Sequence, residues 1–159
     1  MKTQKELIAE LSRYSDASKI EVKDDGAVFY ARDLDLSGTQ ITALPANLQV
    51  GGSLDLRYTK ITALPANLHV RVWLDLRHTD ITALPENLHV GGTLDLSYTK
   101  ITALPENLQV GGSLDLRNTK ISALPENLHV RRSLDLSCTK ITALPDDLQV
   151  GGCDTQIKK

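Results

Sequence analysis

Between residues 34 and 152 the sequence returns to one pattern every 20 residues, without an insertion or deletion. L-D-L begins at Leu34, Leu54, Leu74, Leu94, Leu114 and Leu134, and I-[TS]-A-L-P begins at Ile41, Ile61, Ile81, Ile101, Ile121 and Ile141. All 6 prolines of the chain lie in the second motif. The unit reads S-L-D-L-x-x-T-x-I-T-A-L-P-x-N-L-x-V-G-G. One such unit cannot bury its apolar side chains alone. Stacked units cover one another, so a fixed period of this length implies a solenoid.

The coil that starts at Ser53 shows what each column does. Leu54 and Leu56 alternate with Asp55, so the leucines are expected to point inward and Asp55 outward. After the turn Arg57-Tyr58-Thr59, Ile61 and Leu64 point in again. Pro65 and Asn67 make a second corner, where proline fixes φ and asparagine tolerates a left-handed backbone. Leu68 and Val70 alternate around His69, and Arg71-Val72 closes the circuit. No segment from 34 to 152 offers the 3.6-residue spacing of a helix over any useful length. At about 4.8 Å per coil, six coils make a rod or arc about 30 Å long. In most coils the last corner is Gly-Gly, but Arg71-Val72 and Arg131-Arg132 replace it. A β-branched valine strongly disfavours positive φ, so these glycines read as permitted and not required.

The L-x-L-x-x-[NT]-x-[LI]-x-x-L-P pattern at this period resembles the short bacterial class of leucine-rich repeats. That class occurs in type III secreted effectors, including the leucine-rich-repeat ubiquitin ligases, and in phage or prophage proteins. The resemblance covers residues 34–152 and implies a right-handed, β-rich solenoid or horseshoe whose six coils share a parallel sheet. Two departures stand out. The family's ladder asparagine is threonine here, at Thr39, Thr59, Thr79, Thr99, Thr119 and Thr139. A threonine hydroxyl still bonds turn backbone, with fewer donors than an amide. The Gly-Gly also lengthens the step into the strand, which points toward a three-sided β-solenoid more than a curved horseshoe.

Residues 1–33 read as a cap. Thr3 and Glu6 form a capping-box pair, and Leu7, Ile8, Leu11 and Tyr14 share one face of a helix expected over about 3–14. This helix resembles the N-terminal cap of the bacterial class. Ile20, Val22, Val28 and Tyr30 then flank Asp24-Asp25-Gly26 as a hairpin or an irregular opening coil. At the other end, Cys153-Asp154-Thr155 stands where S-L-D is expected. The tail 153–159 either folds back as a minimal cap or leaves an end that pairs with a second copy of the chain.

Aromatics are only 4% of the chain, so the core must be aliphatic. The net charge of −2 argues against non-specific binding to nucleic acid or anionic membranes, which needs a basic surplus. No apolar run approaches the roughly 18 residues of a membrane span. Charges interrupt the N-terminal segment, so it is not a Sec-type signal. A cytoplasmic product is the default reading, with export by a route lacking that signal as the alternative. Cys138 and Cys153 fall five positions out of step on neighbouring coils, about 16 Å apart at strand rise, and read as two unrelated thiols.

The variable columns hold the candidate site. The only tryptophan, Trp73, falls in an outward column otherwise held by Ser53, Thr93, Ser113 and Ser133. Arg57 and Arg77 lie on the same face, with Tyr58, His78 and Tyr98 at the following turn. Trp, Tyr and Arg are enriched among residues that dominate interfaces, so this group is the expected partner-binding centre. Asp35, Asp55, Asp75, Asp95, Asp115 and Asp135 stack as a carboxylate column beside it, with Asp55, Asp75 and Asp95 nearest. Like charges one coil apart repel by about 0.9 kcal/mol in water, and Arg57, Arg77 and Arg117 offset part of that. His69, His89 and His129 share another column and read as solvated. Two adjacent imidazoles do not complete a tetrahedral metal site. No catalytic or phosphate-loop motif appears, and neither a cofactor nor a metal is expected. The sequence therefore suggests a non-catalytic module binding a protein partner on its strand face. Self-association through the C-terminal end, or an acidic column mimicking DNA, are the alternatives.

Overall fold

A computed structural model describes residues 2–151 and, as backbone alone, 157–158. The chain is a solenoid with a helical cap at its N-terminal end. The capping helix α1 spans Gln4–Tyr14, and Thr3 caps it through the reciprocal bonds its sequence predicts. The Thr3 backbone N–H donates to Glu6 at 2.6 Å, and the Glu6 N–H donates to the Thr3 hydroxyl at 3.3 Å. Leu11 of this helix is fully buried against the first coils. The hairpin that follows pairs Ile20–Val22 antiparallel with Val28–Tyr30. Its second strand is also the first rung of a sheet, with Val28 opposite Leu48 and Tyr30 opposite Val50.

Each coil has three walls. One is the Leu-Asp strand, Leu34–Asp35 in the first coil and Leu134–Asp135 in the last. A second is the strand ending in valine, Leu48–Val50 in the first coil and Gln149–Val150 in the last. Each stacks in parallel register at 20-residue steps, as in Leu54 with Leu74 and Val70 with Val90. With Ile157–Lys158 added to one and the two hairpin strands to the other, the result is a Leu-Asp sheet of 7 strands and a Val sheet of 8. The third wall, I-T-A-L-P, is extended and carries only scattered bonds between coils, such as Lys120 N–H to the Ile101 carbonyl at 3.2 Å. Two sheets thus stand where the repeat pattern implied one, and the coil is three-sided.

The aliphatic columns turn inward as the spacing requires. In the coil from Ser53, Leu54, Leu56, Ile61, Leu68 and Val70 have no exposed surface and Leu64 keeps 8%. The corners are held by side chains. In every coil the threonine hydroxyl donates to the carbonyl three residues back, at 2.7 Å from Thr79 to Leu76. At the second corner Asn47, Asn67, Asn107 and Asn127 take positive φ, and the Asn67 amide donates to Asn47 Oδ1 across coils at 2.9 Å.

The glycine corner departs from the sequence expectation. Among the described residues none of its glycines has positive φ, in line with Val72 occupying the same column. Gly91 and Gly111 nevertheless have no room for a side chain where they stand, although Arg71-Val72 and Arg131-Arg132 fill the same corner in other coils. A Cβ on Gly91 would overlap the Arg71 carbonyl, and one on Gly111 would overlap the Gly91 carbonyl. Close approach of successive backbones is the reason. At Gly151 the nearest atom among the described residues lies 3.7 Å away, an ordinary contact for a side chain.

Beyond Gly151, the backbone of Ile157–Lys158 adds a parallel strand to Leu134–Asp135, with Lys158 in register with Asp135. Gly152, Cys153 and Asp154 lie outside the described residues, while Cys138 is a free, exposed thiol. Among the described residues no helix is long and apolar enough to cross a membrane.

Candidate functional site

The Leu-Asp sheet ends in a turn that sets the geometry of the site. The aspartate accepts the backbone N–H two residues on, as when Arg57 and Arg77 donate to Asp55 and Asp75 at 3.0 and 3.1 Å. An aspartate two residues before a free N–H closes a turn in this way by its ordinary chemistry. The next residue then takes a left-handed backbone, with φ of 57° at Tyr58, 56° at His78 and 59° at Tyr98. That conformation costs an L-residue about 1 kcal/mol, and here the aspartate and threonine bonds on either side hold it.

The repeated turn lifts three aromatic rings into one column. Tyr58 and His78 stack with centroids 4.7 Å apart and planes 7° from parallel; His78 and Tyr98 repeat this at 4.7 Å and 15°. The spacing is that of the coils, so the backbone period imposes the stack. Tyr58 is 61% exposed and Tyr98 51%. Trp73 stands on the adjoining strand face at 36% exposure, a ridge between two shallow hollows. One hollow is lined by Asp75, Arg77, Thr93 and Asp95, the other by Asp33, Asp35, Ser53 and Asp55.

Arginines bridge the aspartates. Arg57 grips Asp55 through Nε and Nη2 and reaches Asp75 at 3.5 Å. Arg77 does the same with Asp75 and reaches Asp95 at 3.3 Å. The bond to Asp55, then the charges of Asp55, Asp75 and Asp35, raise the Arg57 pKa. Asp95 has Ser97 in place of an arginine. Burial, with Asp115 and Asp75 alongside, raises its carboxyl above the ordinary range despite the Ser97 bonds. Asp35, at the exposed end, is lowered chiefly by Ser37.

This corrects the expectation of an open acidic strip. Asp55 and Asp75 leave the sheet on its outer side, yet they retain only 6% and 3% exposure beneath the arginines. Alternation places a side chain on the outer side of the sheet, but what covers it there depends on its neighbours. The nine expected residues therefore divide by role. Trp73, Tyr58, His78 and Tyr98 form the accessible surface, Arg57 and Arg77 edge it, and Asp55, Asp75 and Asp95 support it from below.

The Val sheet presents a second outer face, whose histidines the sequence reading took only as solvated. His69 and His89 stack there at 4.3 Å, and desolvation followed by the neighbouring imidazole lowers the His69 pKa. Arg71 and Arg131, seen only as interruptions of Gly-Gly, stand exposed on that side. Among the described residues no group of three or more His, Cys, Asp or Glu is placed to hold a metal ion. No protein-family model and no curated protein matches this chain.

Proposed function

We propose that this chain is a non-catalytic protein-interaction module that receives its partner on the outer Leu-Asp face. The observation that carries the reading is the accessible group formed by Trp73 and the stacked Tyr58, His78 and Tyr98. Large, stiff aromatic rings contribute contact area with little loss of conformational freedom. Arg57 and Arg77 keep about a third of their side-chain surface exposed while bonded to aspartate, so they meet a partner already oriented. The period of the repeat and the helical cap support kinship with the short bacterial leucine-rich class. A DNA mimic gains no support from this surface, because such a mimic needs free carboxylates and Asp55 and Asp75 are covered.

The test is comparative capture from lysate of the native cell. The tagged wild-type chain, Trp73→Ala and Arg132→Gln on another part of the surface serve as baits. The proposal expects a protein retained by wild type and Arg132→Gln and at least about tenfold depleted with Trp73→Ala, a loss typical of a central interface residue. Equal retention on all three baits would refute it.

A second reading, self-association through the C-terminal end, draws on one observation. Among the described residues, Gln149–Val150 has no strand beyond it in the Val sheet. Sedimentation over a wide concentration range decides that reading: growth of the species with concentration supports it, and a constant monomer removes it.

A further inference from the structure

The outer side of the Val sheet carries a trough of about 350 Å³ that the partner surface above does not use. Its floor is Gly91 and Gly111, and His89, Gln109, His129 and Arg131 line it. The trough follows from the repeat. Along the first-glycine column the residues run Arg71, Gly91, Gly111, Arg131, so two coils without side chains lie between two arginines. Three coil steps separate those arginines, about 14 Å at parallel-strand spacing.

The charges differ from those on the Leu-Asp face. There, Arg57, Arg77 and Arg117 each hold a carboxylate at 2.6 Å or less. Arg71 and Arg131 are exposed and make no ion pair with any described residue. Among the described residues no carboxylate lines the trough. The floor's own donors are spent, since Gly91 N–H donates to Val70 at 2.9 Å and Gly111 N–H to Val90 at 3.1 Å. Recognition must therefore come from the side chains around the floor.

We propose that this trough binds a small phosphate-type oxyanion, held by Arg131 and the donors of His89, Gln109 and His129, with Arg71 closing the far end. A tetrahedral oxyanion presents acceptors in several directions and carries enough charge to meet two guanidinium groups, whereas a carboxylate matches the fork of one. The gap spans two coils and takes one or two phosphates. The chain's charge of −2 disfavours the long polyanion that a nucleic acid would bring.

The test is a titration of the intact chain with inorganic phosphate and pyrophosphate, following the histidine ring protons by NMR at fixed pH and ionic strength. The expected result is a saturable shift at His89 and His129, with His78 on the Leu-Asp face unmoved. Arg131→Gln should weaken binding by at least about tenfold, the loss of one charge-assisted pair, and Arg71→Gln by less. Both positions are exposed, and unchanged circular dichroism will verify that the variants fold. Shifts matched by an equal charge of chloride, binding untouched by Arg131→Gln, or tighter binding of acetate than of phosphate would each overturn the assignment.

Discussion

Thr79 is 3% exposed, and its hydroxyl donates to the Leu76 carbonyl at 2.7 Å across the turn that carries His78. Valine matches its shape and removes that donor, so Thr79→Val leaves a buried carbonyl one bond short. We expect a loss of about 1 kcal/mol, read as a fall in Tm of about 2–4 °C by circular dichroism. Asp95 should behave in the opposite sense. Burial raises its pKa in the folded chain above the ordinary 3.8, so the native state holds that proton more tightly than the unfolded chain. Its unfavourable contribution is absent in acid and grows as pH rises from 3.8 through the raised value. Asn in its place keeps an oxygen for the Ser97 N–H and carries no charge. Asp95→Asn should therefore be more stable than wild type at neutral pH, with the difference vanishing below the ordinary carboxylate range. Tm measured against pH checks this, and a constant difference would contradict the assignment to burial.

The elements were legible where one column meant one environment. Leucine, isoleucine and valine spacing gave the core of every coil, and Thr3 with Glu6 gave the capped helix. The turns were less open to reading. Tyr58, His78 and Tyr98 share a left-handed backbone that none of these residue types announces, although the D-x-[RS]-x-T spacing around them carries an aspartate turn signal. Burial of Asp55 and Asp75 was hidden because it depends on Arg57 and Arg77 of their own coils and, for Asp75, on Arg57 reaching across from the coil before. The glycine corner misled for a similar reason. Conformational freedom is visible from substitutions such as Val72, whereas the approach of one coil's backbone to the next is not. It follows that Gly111→Ala, which overlaps the Gly91 carbonyl, should cost about 1–3 kcal/mol. Gly151→Ala, with 3.7 Å of clearance, should change stability by less than about 0.5 kcal/mol. Denaturant midpoints of the two variants make the comparison, and equal costs would exclude backbone approach as the cause.

Across the whole molecule the two sheets have opposite characters. The Leu-Asp side carries aspartates tied down by arginines, with aromatic rings above the turns; the Val side carries imidazoles, and arginines that pair with no carboxylate among the described residues, around a bare floor. Both arise from one unit copied at a fixed period, so the core residues that recur hold the coils together. The residues that break the pattern (Trp73, Arg71 and Arg131 among them) give the two faces their different surfaces, and both proposals rest on them. The most direct test of the partner surface is amide hydrogen exchange on the captured complex against the free chain. Slower exchange confined to the Leu-Asp strands and the turns at 57–58, 77–78 and 97–98 is the predicted result. Slower exchange over the Val sheet, with those turns unchanged, would contradict it.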